Sequence, residues 1–351
     1  MALRDTPDAF DKAFLAALFD RDEGALRGFG VEPVGTGQVG DSFRISLDWV
    51  EAPDGPASLV AKCPAADMTS RETARNLHLY EIETQFYAHF GKSCGARVPQ
   101  TYAVDYDAQT GDGVLLFEDM APAKQIAQMD GCSVSEVKLI LDEAARLHQS
   151  HWNDPVLEQT PWLTYGQQEE RRAFLIGVLP ALYPDWQARY QDRLSDDILQ
   201  MGAALVERFE AYSAPRPGPK VLTHGDMRLD NMLFTDTQGR AVLLDWQTAS
   251  CANPMGDIAY AVSTSLADPK QRADAEEALV VHYHAALGAC VGDYDVAAAW
   301  ADYRRASFAG FIMAVFSAMM VERTERGDEM FAVMAERSAW QALHLDALSL
   351  I

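Results

Sequence analysis

Val221-Leu222-Thr223-His224-Gly225-Asp226-Met227-Arg228-Leu229-Asp230-Asn231-Met232-Leu233-Phe234 is the stretch on which the reading of this chain turns. An apolar segment, Val221-Leu222, precedes a polar loop, and a second, Ala241 to Leu244, follows it. The loop carries Asp226 and, five residues on, Asn231. Fourteen residues after Asn231 comes Asp245, in Leu243-Leu244-Asp245-Trp246-Gln247. Phosphoryl transfer calls for this set. One carboxylate must accept or orient the proton of the acceptor hydroxyl, and one amide with one carboxylate must hold Mg²⁺ against the phosphate charge. A polar loop with capping Asp and Asn residues explains neither the order, nor the spacing, nor the flanking strands.

Upstream, Gly35-Thr36-Gly37-Gln38-Val39-Gly40 matches G-x-G-x-x-G. A dinucleotide fingerprint needs strand, loop and helix in that order. Here Phe43, Ile45, Leu47 and Trp49 alternate with polar residues, which is the period of a strand. A glycine loop between two strands suits a loop that covers phosphates with its backbone N–H groups. Ser58 to Lys62 reads as the next strand, and Lys62 there can reach the phosphates of a nucleotide. Its partner is Glu83 or Glu81, which helical spacing puts on different faces of one helix.

Composition narrows the field. The chain has 351 residues, with 29 basic and 52 acidic side chains and a net charge of −23. That balance excludes nucleic acid and an anionic membrane surface as partners. Five scattered cysteines with no C-x-x-C pair fit neither a disulfide framework nor a zinc site, and point to a reducing, cytoplasmic setting. Asp5, Asp8 and Asp11 fall where a signal peptide would be basic or apolar. Phe308 to Val321 is too short to span a bilayer and reads as a buried helix, with Phe311, Val315 and Met319 as its core stripe.

The remaining pattern is β-rich before Phe117 to Pro122 and mostly helical after it. Thr6-Pro7 opens a docking helix with Phe10, Phe14, Leu15 and Leu18 on one stripe. Arg71 to Phe90 reads as a helix, Val98 to Val104 as a strand and Val114 to Phe117 as a buried strand. Ser133 and Glu136 form a capping box at the start of a helix. His148 and His151 are spaced as a metal pair on a helix, but no further ligand completes a site.

Taken together, Gly37-Gln38-Val39-Gly40-Asp41-Ser42-Phe43-Arg44, Glu83-Thr84-Gln85-Phe86-Tyr87, Phe117-Glu118-Asp119, Leu147 to Trp152, the His224–Asn231 loop and Asp245-Trp246-Gln247 carry a resemblance. The sequence resembles the aminoglycoside phosphotransferase and choline kinase superfamily, protein-kinase-like enzymes that phosphorylate small molecules. Within it, the sequence is most similar to the ecdysteroid-kinase-like branch. The resemblance runs from about Gly35 to Tyr260. It implies a bilobal α/β fold, with a β-rich N-terminal lobe over residues 1–117 and a large helical C-terminal lobe over 118–351. It implies ATP and Mg²⁺ as cofactors and a small-molecule alcohol as acceptor. Asp226 becomes the catalytic base, and Asn231 and Asp245 the Mg²⁺ ligands. Lys62 touches the ATP phosphates with Glu83 as its partner. Gly37, Gln38, Val39, Gly40, Asp41 and Ser42 line the phosphates, and the backbone of Phe117, Glu118 and Met120 is the adenine hinge. Arg228 steadies the γ-phosphate, and His224 and Asp257 support the loop. Two departures, Trp246-Gln247 after Asp245 and the lack of an A-P-E segment, argue against a regulated protein kinase.

The acceptor is open between two classes. Acidic residues in the helical part favour an aminoglycoside or choline-like amine. Trp152, Trp162, Tyr165, Trp186, Trp300 and Trp340, with the ecdysteroid-kinase-like resemblance, favour a neutral alcohol such as a sterol or an aromatic, which is the preferred expectation. Two rival readings are a nucleotide-binding pseudokinase without turnover and an NAD(P)-binding oxidoreductase built on the glycine loop.

Overall fold

The structure is a computed structural model that describes residues 3–35, 39–51, 55–235 and 239–351. The chain divides into two compact units, Met1–Ser93 with Val98–Pro122, and Cys94–Arg97 with Ala123–Ile351. The division falls after Pro122, so Phe117 and the five residues that follow it belong to the first unit.

The first unit is built on an antiparallel sheet of β1 (Leu26–Pro33), β2 (Gly40–Trp49), β3 (Ser58–Pro64), β4 (Thr101–Asp107) and β5 (Asp112–Glu118), ordered β1-β2-β3-β5-β4. The strand period of two sends Ile45, Leu47, Trp49, Leu59, Ala61, Cys63, Val114 and Leu116 into one buried cluster. Helix α1 (Lys12–Ala17) covers that cluster, and Phe10 and Leu15 are part of it. The docking helix is therefore real but starts later than its Thr6-Pro7 signal. Thr6 leads only a single 3₁₀ turn, and Asp11 opens α1 by accepting the Phe14 N–H at 2.7 Å.

The single helix expected over Arg71 to Phe90 is two, α2 (Met68–Asn76) and α3 (Leu79–His89). His78 sits between them at φ 61°, a left-handed conformation that no helix propagates through. The strand expected from Val98 begins at Thr101, and the one expected to end at Lys62 runs on to Pro64.

The second unit is mainly helical: α4 (Val134–Ser150), α5 (Pro155–Gln159), α6 (Glu169–Tyr190), α7 (Asp196–Glu207), α8 (Phe209–Ser213), α9 (Met255–Ser265), α10 (Pro269–Leu287), α11 (Val296–Ala306), α12 (Ala309–Met320) and α13 (Glu325–His344). The capping box forms as read, with the Glu136 carboxylate accepting the Ser133 N–H at 2.7 Å. Two short ladders complete the unit. β6 (Val221–Thr223) pairs with β9 (Ser250–Ala252), and β7 (Met232–Thr235) pairs with β8 (Arg240–Leu243). Phe311 and Val315 of α12 are buried as the stripe predicts, and Met319 packs at the edge of the same core.

Candidate active site

In the first unit the ladder parity decides which side chains meet. Ser42 lies opposite Lys62, and Lys62 opposite Leu115, whereas Asp41 lies opposite Cys63. Lys62 thus shares a face with Ser42, away from the Ala61–Cys63 core. Its Nζ donates to Glu83 Oε1 at 2.8 Å and lies 2.7 Å from Oε2. Glu81, the other candidate, instead meets His78 Nδ1 at 2.9 Å. A third helix residue, Tyr80, ties the glycine loop down. Its hydroxyl donates to Val39 O at 2.6 Å and accepts from the Ala65 N–H at 2.9 Å. Tyr80 lies one turn before Glu83, so the same helical spacing that singled out Glu83 points to it as well.

Gly40 sits over the lysine, where a Cβ would come 3.5 Å from Lys62 Cε. The Asp41 carboxylate accepts the Ala66 N–H at 2.8 Å, so it anchors the chain after β3, on the ladder position opposite to Lys62's. Gly37 and Gln38 lie outside the described residues. At the end of β5 the Glu118 N–H donates to Gln100 O at 2.8 Å. Glu118 closes β5, and Asp119 and Met120 follow it. Asp119 fixes that segment: Arg44 Nε and Ser58 Oγ each donate to Asp119 Oδ2 at 2.7 Å. The Asp119 carboxyl, which burial would push up, is held below the usual range by Arg44 and Ser58.

In the second unit the loop after β6 builds a dense polar knot. Gly225 has φ 82°, and a Cβ there would run into the Thr248 carbonyl, so only glycine fits. Asp226 is buried. Tyr260 of α9 donates to Asp226 Oδ1 at 2.6 Å, and Asn231 Nδ2 and Arg228 Nε donate to Oδ2 at 2.8 and 3.2 Å. Burial alone would raise the Asp226 carboxyl; Arg228, Tyr260, His224 and Asn231 outweigh it and hold the group below the usual carboxylate range. Arg228 also donates to Asp230 Oδ2 at 3.2 Å and touches Met330 Sδ at 3.1 Å.

Asn231 spends its amide nitrogen on Asp226 O and Oδ2, which leaves its Oδ1 as the outward atom. The Leu244 N–H donates to Asn231 O at 2.9 Å, so Asp245 follows directly on the residue hydrogen-bonded to Asn231. Asp245 has φ 63°, the left-handed region that Asp tolerates better than most side chains. A carboxylate and an amide oxygen are both hard-oxygen ligands of the kind Mg²⁺ takes, one or two from the protein with phosphates and water completing the shell. No group of three His, Cys, Asp or Glu residues arranged for a metal occurs among the described residues.

Asp257 of α9 holds the loop from behind. Its carboxylate accepts the backbone N–H of His224 at 2.7 Å and of Gly225 at 2.8 Å, and His148 Nε2 lies 3.1 Å away. The spacing that hinted at a metal pair thus reflects packing: His148 is fully buried between Asp257 and Tyr283. His224 accepts the Asp226 N–H on Nδ1 and donates from Nε2 to Leu244 O at 2.8 Å.

Two contributors escape sequence reasoning. Tyr260 lies three residues after Asp257 on α9, a spacing that turns both toward the loop and was the available signal. Gln128 accepts the Leu229 N–H at 2.9 Å and donates to Thr264 O at 2.7 Å, with no sequence pattern to mark it. Three of the six aromatics read as favouring a neutral acceptor are packed in the protein. Trp186 is fully buried against Tyr183, Tyr190 and Phe311, Trp162 is buried, and Trp340 packs on the same core as Trp186.

Residues 49–300 match the phosphotransferase enzyme family, APH. The fold is similar to that of a microcompartment-associated aminopropanol kinase, at 16% identity and a TM-score of 0.56 over 97% of this chain and 100% of that one. It is similar to an ethanolamine kinase of Plasmodium vivax, at 11% identity and 0.53 over 88% and 81%. It is similar also to APH(2″)-IIa in its gentamicin complex, at 14% identity and 0.52 over 90% and 94%. Over 77 residues the chain is 32% identical to acyl-CoA dehydrogenase family member 11 of Gallus gallus; this match takes in 22% of the chain and only 10% of that protein. A family match over most of its length shows that the chain belongs to the phosphotransferase enzyme family, and it has the fold of small-molecule kinases.

Proposed function

We propose that this protein transfers the γ-phosphoryl group of ATP to a hydroxyl of a small molecule, with Mg²⁺ bound. The observation that carries the reading is the Asp226–Asn231–Asp245 arrangement. It combines a buried carboxylate held below its usual range, the Asn231 amide bonded to it, and Asp245, which follows in sequence on Leu244, whose N–H donates to Asn231 O. Asp226 receives the acceptor hydroxyl and takes its proton as the bond to phosphorus forms. A carboxylate held below its usual range is a weak base, so its first work is orientation, and the proton moves late. Asn231 and Asp245 would hold Mg²⁺, which supplies charge neutralisation on the phosphates. Arg228, kept extended by Asp226 and Asp230, steadies the γ-phosphate. Lys62, fixed by Glu83, contacts the α- and β-phosphates; Val39, Gly40 and Ser42 cover them, and the Phe117–Met120 backbone receives the base.

Ligand that binds only the folded state raises its unfolding midpoint by mass action. The midpoint is expected to rise with MgATP and to fall back when EDTA is added, and to stay unchanged with NAD. Asp226→Asn is expected to keep that shift and to lose about 10²–10⁴-fold in ADP release with an acceptor. A shift with NAD but with no triphosphate, or an Asp226→Asn variant with full turnover, sinks the reading.

A further inference from the structure

The side of the catalytic loop that faces α13 carries cations, in a chain with 29 basic and 52 acidic residues. Arg228 and Arg326 both reach the same oxygen, Asp230 Oδ2, at 3.2 and 3.3 Å. The charges run in sequence Asp226, Arg228, Asp230, Arg326, so a cation stands at the outer end. Asp230 is nearly buried and its other oxygen is taken by the Gln128 N–H at 3.1 Å.

Arg326 is otherwise unmatched. On α13 its neighbour at i+4 is Met330, and its neighbour at i+3, Glu329, is paired with Arg193. Asp328 is taken by Arg189, Arg323 and Tyr190. Apart from the 3.3 Å bond to Asp230, Arg326 makes no hydrogen bond to the described residues, and its side chain is 38% exposed. Nε and Nη1 are left as donors. Met330, one turn further, touches Arg228, so Arg326 stands one helical turn from the group that borders the catalytic carboxylate.

We propose that the acceptor alcohol carries an anionic group, a carboxylate or a phosphate, and that Arg326 receives it beside Asp226. The inference rests on the kinase reading and names its acceptor class. A guanidinium with spare planar donors pairs with an oxyanion through charge-assisted hydrogen bonds and gives nothing to an amine. This runs opposite to the amine acceptors first weighed for the helical part, and the packing of Trp162, Trp186 and Trp340 takes those three from the aromatic support for a neutral acceptor.

The test is ADP release from MgATP with matched acceptors: hydroxypropionate, hydroxypropionamide and aminopropanol for the carboxylate arm, glycerol phosphate and glycerol for the phosphate arm. The anionic member of one arm is expected to be turned over in preference to its neutral and cationic counterparts. Arg326→Ala is expected to raise KM for that member about 10–100-fold with kcat little changed, and Arg326→Lys to recover part of the loss. Both variants should keep the wild-type MgATP shift in unfolding midpoint, which reports folding. Preference for the neutral or cationic members, an unchanged KM in Arg326→Ala, or silence of every acceptor while MgATP still binds overturns the proposal and spares the kinase reading. Loss of the MgATP shift in the wild type overturns both.

Discussion

At the scale of single residues, Asp226 is notable for how completely it is held. Tyr260 occupies one carboxylate oxygen, and Asn231 with Arg228 the other. Hydrogen bonds to a charged acceptor are worth about 1.5–3 kcal/mol each, so Tyr260 matters to the charge state as well as to position. Tyr260→Phe leaves the ring in place and removes one donor. The folded-state pKa of Asp226 then rises, because less holds it below the usual range against burial. The acid limb of the kcat/KM profile therefore moves to higher pH, while turnover near neutrality falls by less than about tenfold, since the base itself stays. An acid limb that stays put would remove Tyr260 from the site. Asp226, Asn231 and Asp245 stood out in the sequence because the roles expected of them require fixed residue types at fixed spacing. Tyr260 did not, because a hydroxyl donor can arrive from any neighbouring element and leaves only a weak i+3 trace from Asp257.

Elements tell a similar story about local and non-local causes. The capping box at Ser133 and the alternation along β2 were read correctly because each depends on neighbours within a few residues. The break at His78 was not legible, since the apolar period continues across it and a left-handed residue other than glycine has no composition signal. β9 was missed because three residues, Ser250 to Ala252, are too few to show a period. The His224–Asn231 loop has little regular structure and depends on α9. Asp257 satisfies two backbone N–H groups of the loop, those of His224 and Gly225. Asp257→Ala leaves both buried and unpaired and also strands His148. At about 1–3 kcal/mol per orphaned group, urea unfolding should show a loss of about 2–5 kcal/mol. Asp257→Asn keeps one acceptor and should fall between that and the wild type. A loss below about 1 kcal/mol in the alanine variant would mean that the loop is held by something else.

On the scale of the whole molecule, the sequence changes from strand-rich to helical near Phe117 to Pro122, because a sheet and a helical bundle impose different hydrophobic periods, and the compact units divide after Pro122, with Cys94–Arg97 joining the second. Net charge was the weaker guide. It argued against nucleic acid as a partner but gave no sign of the arginines on the His224–Asn231 loop and α13. The −23 charge also poses a question about acid. Like charges repel, and protonating exposed carboxylates on acidification relieves that repulsion. Against this stand the buried or paired carboxylates Asp112, Asp119, Asp226, Asp257 and Asp328, all held below their usual range. Arg75 and Arg71 do this for Asp112, Arg44 and Ser58 for Asp119, and His148 and His224 for Asp257, in each case against burial. A depressed folded-state pKa contributes stability that is fully present above the unfolded value, about 4, and is lost as pH falls through the folded value. Glu276, raised by burial, acts in the opposite sense: it recovers stability as it protonates. Five groups against one decide the direction. The urea midpoint should stay level from neutrality down to about pH 5 and then fall steeply below about pH 4. A midpoint that climbs between about pH 5 and pH 3 would show that self-repulsion outweighs the paired carboxylates. Repeating the titration in high salt separates the two: screening removes the surface repulsion and leaves the buried pairs, so the fall below pH 4 should persist.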